Sequence, residues 1–540
     1  MIRRLFQSST TVASAAFIVG AMSLLSRFAG LLRDRILISV FPPNLSSTLD
    51  IYYQSFRLPD LFFQLLVVGA VSASFIPLFT KAWVTDDKTR AWKYTNNVLH
   101  VVIVLFAVLS AVAILFAPQI APLLAPTWSA DKLSALVNMT RVIFLGQLFF
   151  AASIVFGSVL QGVKRFFLPA FAPIVYNAGI VIGAVFLTPV MGPIGLAWGV
   201  VIGSALHMLV QLVGAIAIGY RYQPYIRLKD PDLLVTAKQT IPRVVGLAVN
   251  QAEFLIMSVI ATLGVAGSVT NLTLAYTLNF VPIGIIAVSY AIAAYPTFCE
   301  RLAEKDIAGM RASFSLTMRQ VMFFMIPATV LFLLLRAQIV RVVYGSEGLD
   351  WGSTTIIADT LAIFALSFFA QSATYILIRA YYAMEDSTTP FIFAVIGCVL
   401  TAGLALPLSH AYGIFGLAIG FSVSSMIETA FLWVLLHRKL GGLDERKIAY
   451  SLFIFSLAGI LCAFVTQGVK YGLVQLFELD TFAHVFIQFS LSSILGGGVY
   501  LLSAYFMKSP ELRSIISGLQ GKFLKSARPA EVGDMGNVTT

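Results

Sequence analysis

Long apolar runs, separated by short hydrophilic gaps, constrain this chain more than any motif does. Only 11% of its 540 residues are charged and 59% are hydrophobic, whereas soluble globular proteins carry roughly 25% charged residues. A soluble domain, or a string of them, is excluded. A helix that crosses the hydrocarbon core needs about 20 mostly apolar residues, so the apolar content sets a ceiling of roughly sixteen spans. An outer-membrane barrel does not fit, because its strands alternate in polarity over about 10 residues and these runs are unbroken. The run from Thr10 to Leu25 follows Arg3 and Arg4 but lacks the small-residue cleavage site of a signal peptide. It continues into Ser26, Arg27 and Gly30 and reads as the first membrane helix.

The apolar runs predict fourteen helices, over residues 10–37, 56–81, 94–118, 137–162, 168–189, 194–220, 238–264, 271–298, 313–343, 355–384, 389–408, 413–437, 448–470 and 482–507. The polar tail from Lys508 is expected to fray. The net charge of +11 points to membrane topology rather than to nucleic acid. With the N-terminus inside and strict alternation, 27 of the 36 basic residues fall on the cytoplasmic side. That bias follows the positive-inside rule and needs an even number of spans, with both termini cytoplasmic.

An internal repeat runs through the chain. Gly192–Gly199 (GPIGLAWG) and Gly413–Gly420 (GIFGLAIG) both read GxxGLAxG and lie 221 residues apart. Pro169 and Pro390, each opening the preceding helix, share that offset. Pro77 and Pro296, each placed at the close of a helix, are 219 apart. An offset of six helices keeps the copies in the same orientation, as in transporters built from parallel repeats. The expected architecture is therefore an all-α polytopic membrane protein with two six-helix lobes and two additional C-terminal helices. The lobes cover residues 1–220 (helices 1–6) and 221–440 (helices 7–12), the additional helices 441–507, and a cytoplasmic tail 508–540. Lobes that rock about a shared interface would give alternating access; a duplicated scaffold that moves nothing is the plainer alternative.

Charged residues inside spans cost about 2.5–3.5 kcal/mol on insertion scales and call for partners, water or a function. The first helix carries Ser26-Arg27-Phe28-Ala29-Gly30-Leu31-Leu32-Arg33-Asp34-Arg35. At about 100° per residue, Ser26, Gly30 and Arg33 share a face, and Arg27 and Asp34 are nearly eclipsed two turns apart and positioned to pair. The second helix follows Asp50 and opens with Arg57, Pro59 and Asp60. Arg33, Arg35 and Arg57 either snorkel at helix ends or, with Arg27, line a basic site. Arginine suits phosphate because its fork donates two parallel hydrogen bonds. Asn250, Gln251 and Glu253 lie in helix 7, the repeat partner of helix 1; Glu253 is the acid expected to couple a proton or cation. Cys299, Cys398 and Cys462 read as small buried hydrophobes, with no disulfide framework or metal site. No P-loop, HExxH or GxSxG is present, so an enzyme is not expected.

Taken together, SRFAGLLRDR (26–35), LDIYYQSFRLPDLF (49–62), GAVSASFIPLF (69–79), RFFLPAFAPIVYN (165–177), GLAWG (195–199), FVPIGI (280–285) and RAYYAMEDSTTP (379–390) resemble the MurJ (MviN) family. These are the lipid II flippases of the multidrug/oligosaccharidyl-lipid/polysaccharide exporter superfamily. The resemblance implies fourteen helices in two lobes around a cationic cavity in a bacterial cytoplasmic membrane. It implies export of an undecaprenyl-diphosphate-linked peptidoglycan precursor. Apart from the resemblance, no cofactor is expected, and membrane potential or an ion gradient is the expected drive. The partners it implies are the bilayer, the lipid-linked substrate and other cell-wall synthesis proteins. By resemblance Arg27, Arg33 and Asp50 match charged positions of the family's cavity and rim. The chain departs from the family at Phe63, Gln64 and Val68 in helix 2 and at Thr277 and Phe280 in helix 8, where family members carry charge. The substrate-binding residues expected overall are Arg27, Arg33, Asp34, Asp50, Arg57, Asn250 and Gln251. Export of another polyprenyl-linked glycan, or a MATE-like antiport, is the alternative that the departures favour.

Overall fold

The computed structural model describes residues 12–42, 47–64, 71–85, 87–476, 478 and 481–514, with the backbone alone for 12–17, 71–74 and 237–250. Among the described residues every regular element is a helix. In chain order they are α1 (Val12–Val40), α2 (Thr48–Ser55), α3 (Arg57–Phe63), α4 (Val71–Val84), α5 (Lys88–Leu124) and α6 (Ala130–Gly162). There follow α7 (Phe167–Met191), α8 (Ile194–Ile216), α9 (Pro231–Ala261), α10 (Ser268–Ala303), α11 (Ile307–Leu334) and α12 (Arg336–Tyr344). The last are α13 (Trp351–Ala365), α14 (Phe368–Ala383), α15 (Thr388–Tyr412), α16 (Ile414–Leu440), α17 (Glu445–Val474) and α18 (Phe482–Phe506). Each of the fourteen expected spans falls on one or more of these helices. Among the described residues, ten helices are long and apolar enough to cross a membrane as they stand, or eleven with the interrupted pair α13–α14 counted as one.

The expected boundaries fail where a local interaction overrides hydropathy. The second span begins as two short helices that meet at Phe56, just before Arg57 and Pro59; proline in a first turn starts a helix without losing a needed N–H. The ninth span stops at Leu335 and restarts at Arg336. There Arg336 Nη1 donates to Leu333 O at 2.9 Å and Lys470 Nζ donates to Leu334 O at 3.0 Å, so two cations satisfy the carbonyl end of α11. Pro77 and Pro296 do not close their helices. Each sits inside one, and α4 and α10 continue to Val84 and Ala303. The segment after Lys508 does not fray as far as Ser514. Ser509 and Glu511 are buried, and Glu511 accepts hydrogen bonds from Arg319, Ser451 (2.8 Å) and Ser509 (2.8 Å). Residues from 515 onward lie outside the described residues.

Close packing sorts the chain into two units. One holds residues 1–279, 339–364 and 391–428, the other 280–338, 365–390 and 429–540. Every boundary falls inside a helix, so the units are packing groups rather than chain segments. Within the first unit α7 and α8 meet along glycine. A Cβ on Gly179 would sit 2.2 Å from the Gly203 Cα, and one on Gly183 would sit 2.3 Å from the Gly199 Cα. The GxxxG spacing on both helices thus brings the two backbones into contact.

The repeated motif folds the same way twice. α7 and α15 start at Phe167 and Thr388 and end at Met191 and Tyr412, offset by 221 at both ends. Gly192 and Gly413 adopt φ of +70° and +57°, which glycine reaches without a Cβ penalty. Their N–H groups donate to Thr188 O and Ser409 O, both at 2.8 Å. Gly195 packs on the Leu187–Thr188 peptide and Gly416 on Leu408–Ser409, again at the same offset. Among the described residues, five other than glycine also adopt positive φ: Lys164, Lys305, Glu385, Asp444 and Lys508. All five lie in the gaps that follow α6, α10, α14, α16 and α18.

Candidate substrate-binding site

Within the first packing unit, Arg33 and Asp34 of α1 meet the polar face of one stretch, α2–α3. Asp50, Tyr53, Gln54 and Arg57 follow the i, i+3, i+4, i+7 spacing of a single helical face. The stripe is polar where the rest of the neighbourhood is apolar, and each member has a defined partner.

Asp50 is 4% exposed and is tied to the start of α10. It accepts from Gly267 N at 2.6 Å, Thr270 N at 2.8 Å and Thr270 Oγ1 at 2.6 Å. A carboxylate at a helix N-terminus satisfies orphan N–H groups and faces the positive end of the dipole. Both of its oxygens are committed to holding α2 on α10.

One turn on, Tyr53 OH donates to Asp34 Oδ1 at 3.2 Å. Asp34 also accepts from Arg33, through Nε at 3.0 Å and Nη2 at 2.7 Å, while Arg33 Nη1 donates to Asn177 Oδ1 at 3.0 Å. The expected Arg27–Asp34 pair does not form. Seven residues of helix separate them by about 10 Å along the axis, and Arg33, whose chain folds back over Asp34, takes the carboxylate instead. Arg27 lies on an exposed face of α1. Arg35 reaches Val342 O at 3.5 Å.

Arg57 does not snorkel. Its Nε donates to Ser258 Oγ at 2.9 Å and its Nη2 to Thr273 Oγ1 at 2.8 Å, and the guanidinium stands 4.3 Å from the centre of the Phe254 ring. Ser258 Oγ donates a hydrogen bond to Gln54 Oε1 at 2.5 Å, and Gln54 Nε2 donates to Leu124 O at 2.7 Å. The chain of donors thus runs Arg57, Ser258, Gln54, Leu124, with every bond pointing away from Arg57. No carboxylate lies within ion-pairing distance of Arg57 among the described residues; Asp60 follows one turn along α3. Two of its five N–H donor groups are engaged by neutral hydroxyls. Arg33 is held in a contact ion pair, whereas Arg57 has Asp60 only as a more distant electrostatic neighbour.

A second cluster in the same unit surrounds Glu253. Thr401 Oγ1 donates to Glu253 Oε1 at 2.7 Å. Gly397, one turn earlier on α15, faces Glu428, whose Oε2 lies 2.9 Å from where a Cβ on that glycine would stand. Two carboxylates from α9 and α16 therefore sit on successive turns of one face of α15. Gln251 makes no hydrogen bond among the described residues. The Asn250 side chain and Val68 lie outside the described residues. Cys398 and Cys462 are buried, Cys299 is half-buried, and all three are free thiols.

Sequence reasoning missed the partners Tyr53, Ser258, Thr273 and Thr401, because hydroxyls in spans are common and carry no signal alone. Glu428 was detectable, since it is an acid in the middle of an apolar run (IETAFLW).

Membrane-length helices with ionisable groups held among them define a multi-pass membrane protein of the exporter class. The profile of the lipid II flippase MurJ family matches residues 45–490. A probable lipid II flippase MurJ of Rhizobium tropici is 25% identical over 548 residues, covering 96% of this chain and 97% of that protein. A solved lipid II flippase MurJ in an inward closed conformation superposes with a TM-score of 0.74 at 21% identity, covering 93% of this chain and all of the other. An inward-facing multidrug resistance MATE family transporter of the MOP superfamily superposes at 0.61 and 13% identity, over 80% of this chain and 99% of its own. The chain belongs to the lipid II flippase MurJ family.

Proposed function

We propose that this protein moves lipid II from the inner to the outer leaflet of a bacterial cytoplasmic membrane. Both termini would lie in the cytoplasm, in keeping with the distribution of basic residues. The observation that carries the reading is Arg57, a guanidinium held by neutral hydroxyls beside an aromatic ring, with donors to spare. Such a group can take a diphosphate oxygen without first breaking an ion pair. Arg27, exposed on α1, supplies a second cation. Arg33 is positioned by Asp34 and Asn177 and contributes hydrogen bonds more than net charge. Asp50 acts through α10, and the proposed substrate-binding set also takes in Asn250 and Gln251 of α9 from the sequence reading. The two repeated lobes, residues 1–220 and 221–440, would rock to expose the site alternately, with the lipid tail left in the bilayer.

Glu253 is the coupling residue in this reading, together with Glu428. Two carboxylates on one face of α15 offer a place to hold a proton or a cation, and its occupancy would respond to an ion gradient or to membrane potential. No catalytic step is needed, because transport leaves the substrate's covalent structure unchanged.

The test is complementation of a MurJ-depleted bacterium by this chain, paired with a lipid II translocation assay in the same cells. Rescue of growth with restored lipid II in the outer leaflet is expected. Good expression without rescue or translocation would overturn the substrate assignment.

A further inference from the structure

The segment after α8 is a strap held rigidly across α5. Two adjacent asparagines clamp it. Asn96 Oδ1 accepts from Tyr220 OH at 2.8 Å and Gln223 N at 3.2 Å, and its Nδ2 donates to Arg221 O at 3.2 Å. Asn97 repeats the arrangement four residues further on, accepting from Arg227 N at 2.8 Å and donating to Arg227 O at 3.0 Å. Tyr222 OH meets His100 Nε2 at 2.9 Å. With its backbone pinned, the strap alternates charge and apolar bulk outward: Arg221, Tyr222, Ile226, Arg227, Leu228 and Lys229 are all exposed. Tyr222, Ile226 and Leu228 are each more than 60% exposed, an expensive display in water. The three cations have no acidic partner among the described residues.

Beneath the strap lies a groove of about 510 Å³ between α5, α6 and α8, lined by Leu99, Ile103, Phe156, Leu212, Ile216 and Tyr220 among others. Its flanks continue into exposed apolar faces, with Leu105 on α5 and Val213 on α8 both exposed. The groove therefore opens where acyl chains would be. Tyr220 and Tyr222 of the strap line one end of it, toward the start of α5, which carries Lys88, Arg90 and Lys93.

An apolar slot under a rigid rim of unpaired cations matches one kind of molecule, a lipid with an anionic head. Basic residues at a membrane surface attract anionic lipids, and interleaved apolar side chains enter the head-group boundary. We propose that the 220–230 strap and the groove below it form a binding site for an anionic glycerophospholipid. One acyl chain lies in the groove, and the phosphate faces Arg221, Arg227 and Lys229. The site stands apart from the Arg57 cluster and does not depend on what the protein transports.

The test uses the full chain purified in detergent and exposed to an equimolar mixture of phosphatidylglycerol and phosphatidylcholine, with retained lipid read by native mass spectrometry. A several-fold excess of bound phosphatidylglycerol is expected. Leu212→Trp, which fills the groove, should bring that excess to parity. So should the triple variant Arg221→Gln, Arg227→Gln and Lys229→Gln, which changes only exposed positions and keeps the test alive if Leu212→Trp fails to fold. Parity in the unaltered protein would overturn the proposal, as would an undiminished excess in the triple variant.

Discussion

Arg57 and Arg319 are both arginines drawn in from the surface of a membrane helix bundle, one in each packing unit, and they are handled in opposite ways. Arg319 meets the carboxylate of Glu511, which is itself fully buried and held by Ser451 and Ser509. The charges cancel, and the pair fastens the start of the C-terminal segment to α11 and α17. Arg57 is surrounded by Ser258, Thr273 and Phe254, and Asp60, one turn along α3, is an electrostatic neighbour that makes no ion pair with it. A bundle that needed only cohesion would gain little from the second arrangement, because desolvating a cation without a contact ion pair is costly. The contrast separates a charge kept for structure from a charge kept for a ligand.

The contrast can be broken most directly at Arg57. Arg57→Ala should abolish rescue of a MurJ-depleted strain while the purified protein loses no more than about 1–2 kcal/mol of stability, the scale of the hydrogen bonds removed. Rescue by that variant would leave Arg57 without a ligand role. Glu511→Ala should do the reverse. It strands Arg319 and should cost about 3–5 kcal/mol, seen as a large drop in melting temperature, whereas Arg319→Met combined with Glu511→Leu should recover most of that loss and retain transport. Asp50→Ala removes an acid compensated by a helix terminus rather than by a cation. A loss of about 1–2 kcal/mol is expected, the range of a strong helix cap; an unchanged melting temperature would show that the α10 terminus does not depend on it.

The smallest effect belongs to Asp386, in the turn between α14 and α15. Partial burial alone would raise its carboxyl, but hydrogen bonds from Lys439 and Thr389 outweigh this and hold it at about 2. A depressed carboxyl contributes stability that is complete above its unfolded value of about 3.9 and fades as the pH falls toward about 2. Melting temperature should therefore sag below about pH 4 more in the wild type than in Asp386→Asn. Parallel pH profiles would remove Asp386 from the account.

The sequence made the helices legible because apolar length is a property of the run itself. It made the repeat legible because Gly192, Gly195, Gly413 and Gly416 are set by backbone geometry rather than by distant partners. Arg33 and Arg57 stood out because charge is scarce. What they touch did not stand out. The breaks at Phe56 and Leu335 depend on a proline in one case and on a lysine 135 residues away in the other. The pairing of Asp34 was misjudged because helical periodicity ranks Arg27 above an adjacent residue, yet a long side chain can fold back. Asp50 looked like a ligand-facing acid because the N-terminus it caps lies 217 residues further along the chain.

The left-handed residues at the helix ends also bear on how such a chain is made. Glycine would relieve the backbone at Lys164, Lys305 and Lys508, where an L-residue costs about 1–2 kcal/mol. Yet a neutral turn would carry no instruction for a helix being threaded into a bilayer during synthesis. Lysine at these three helix ends instead sets a fixed charge at the edge of an apolar run, the kind of residue that biases how a chain enters a bilayer, so a small backbone strain in the finished protein coincides with a charge of use during its synthesis.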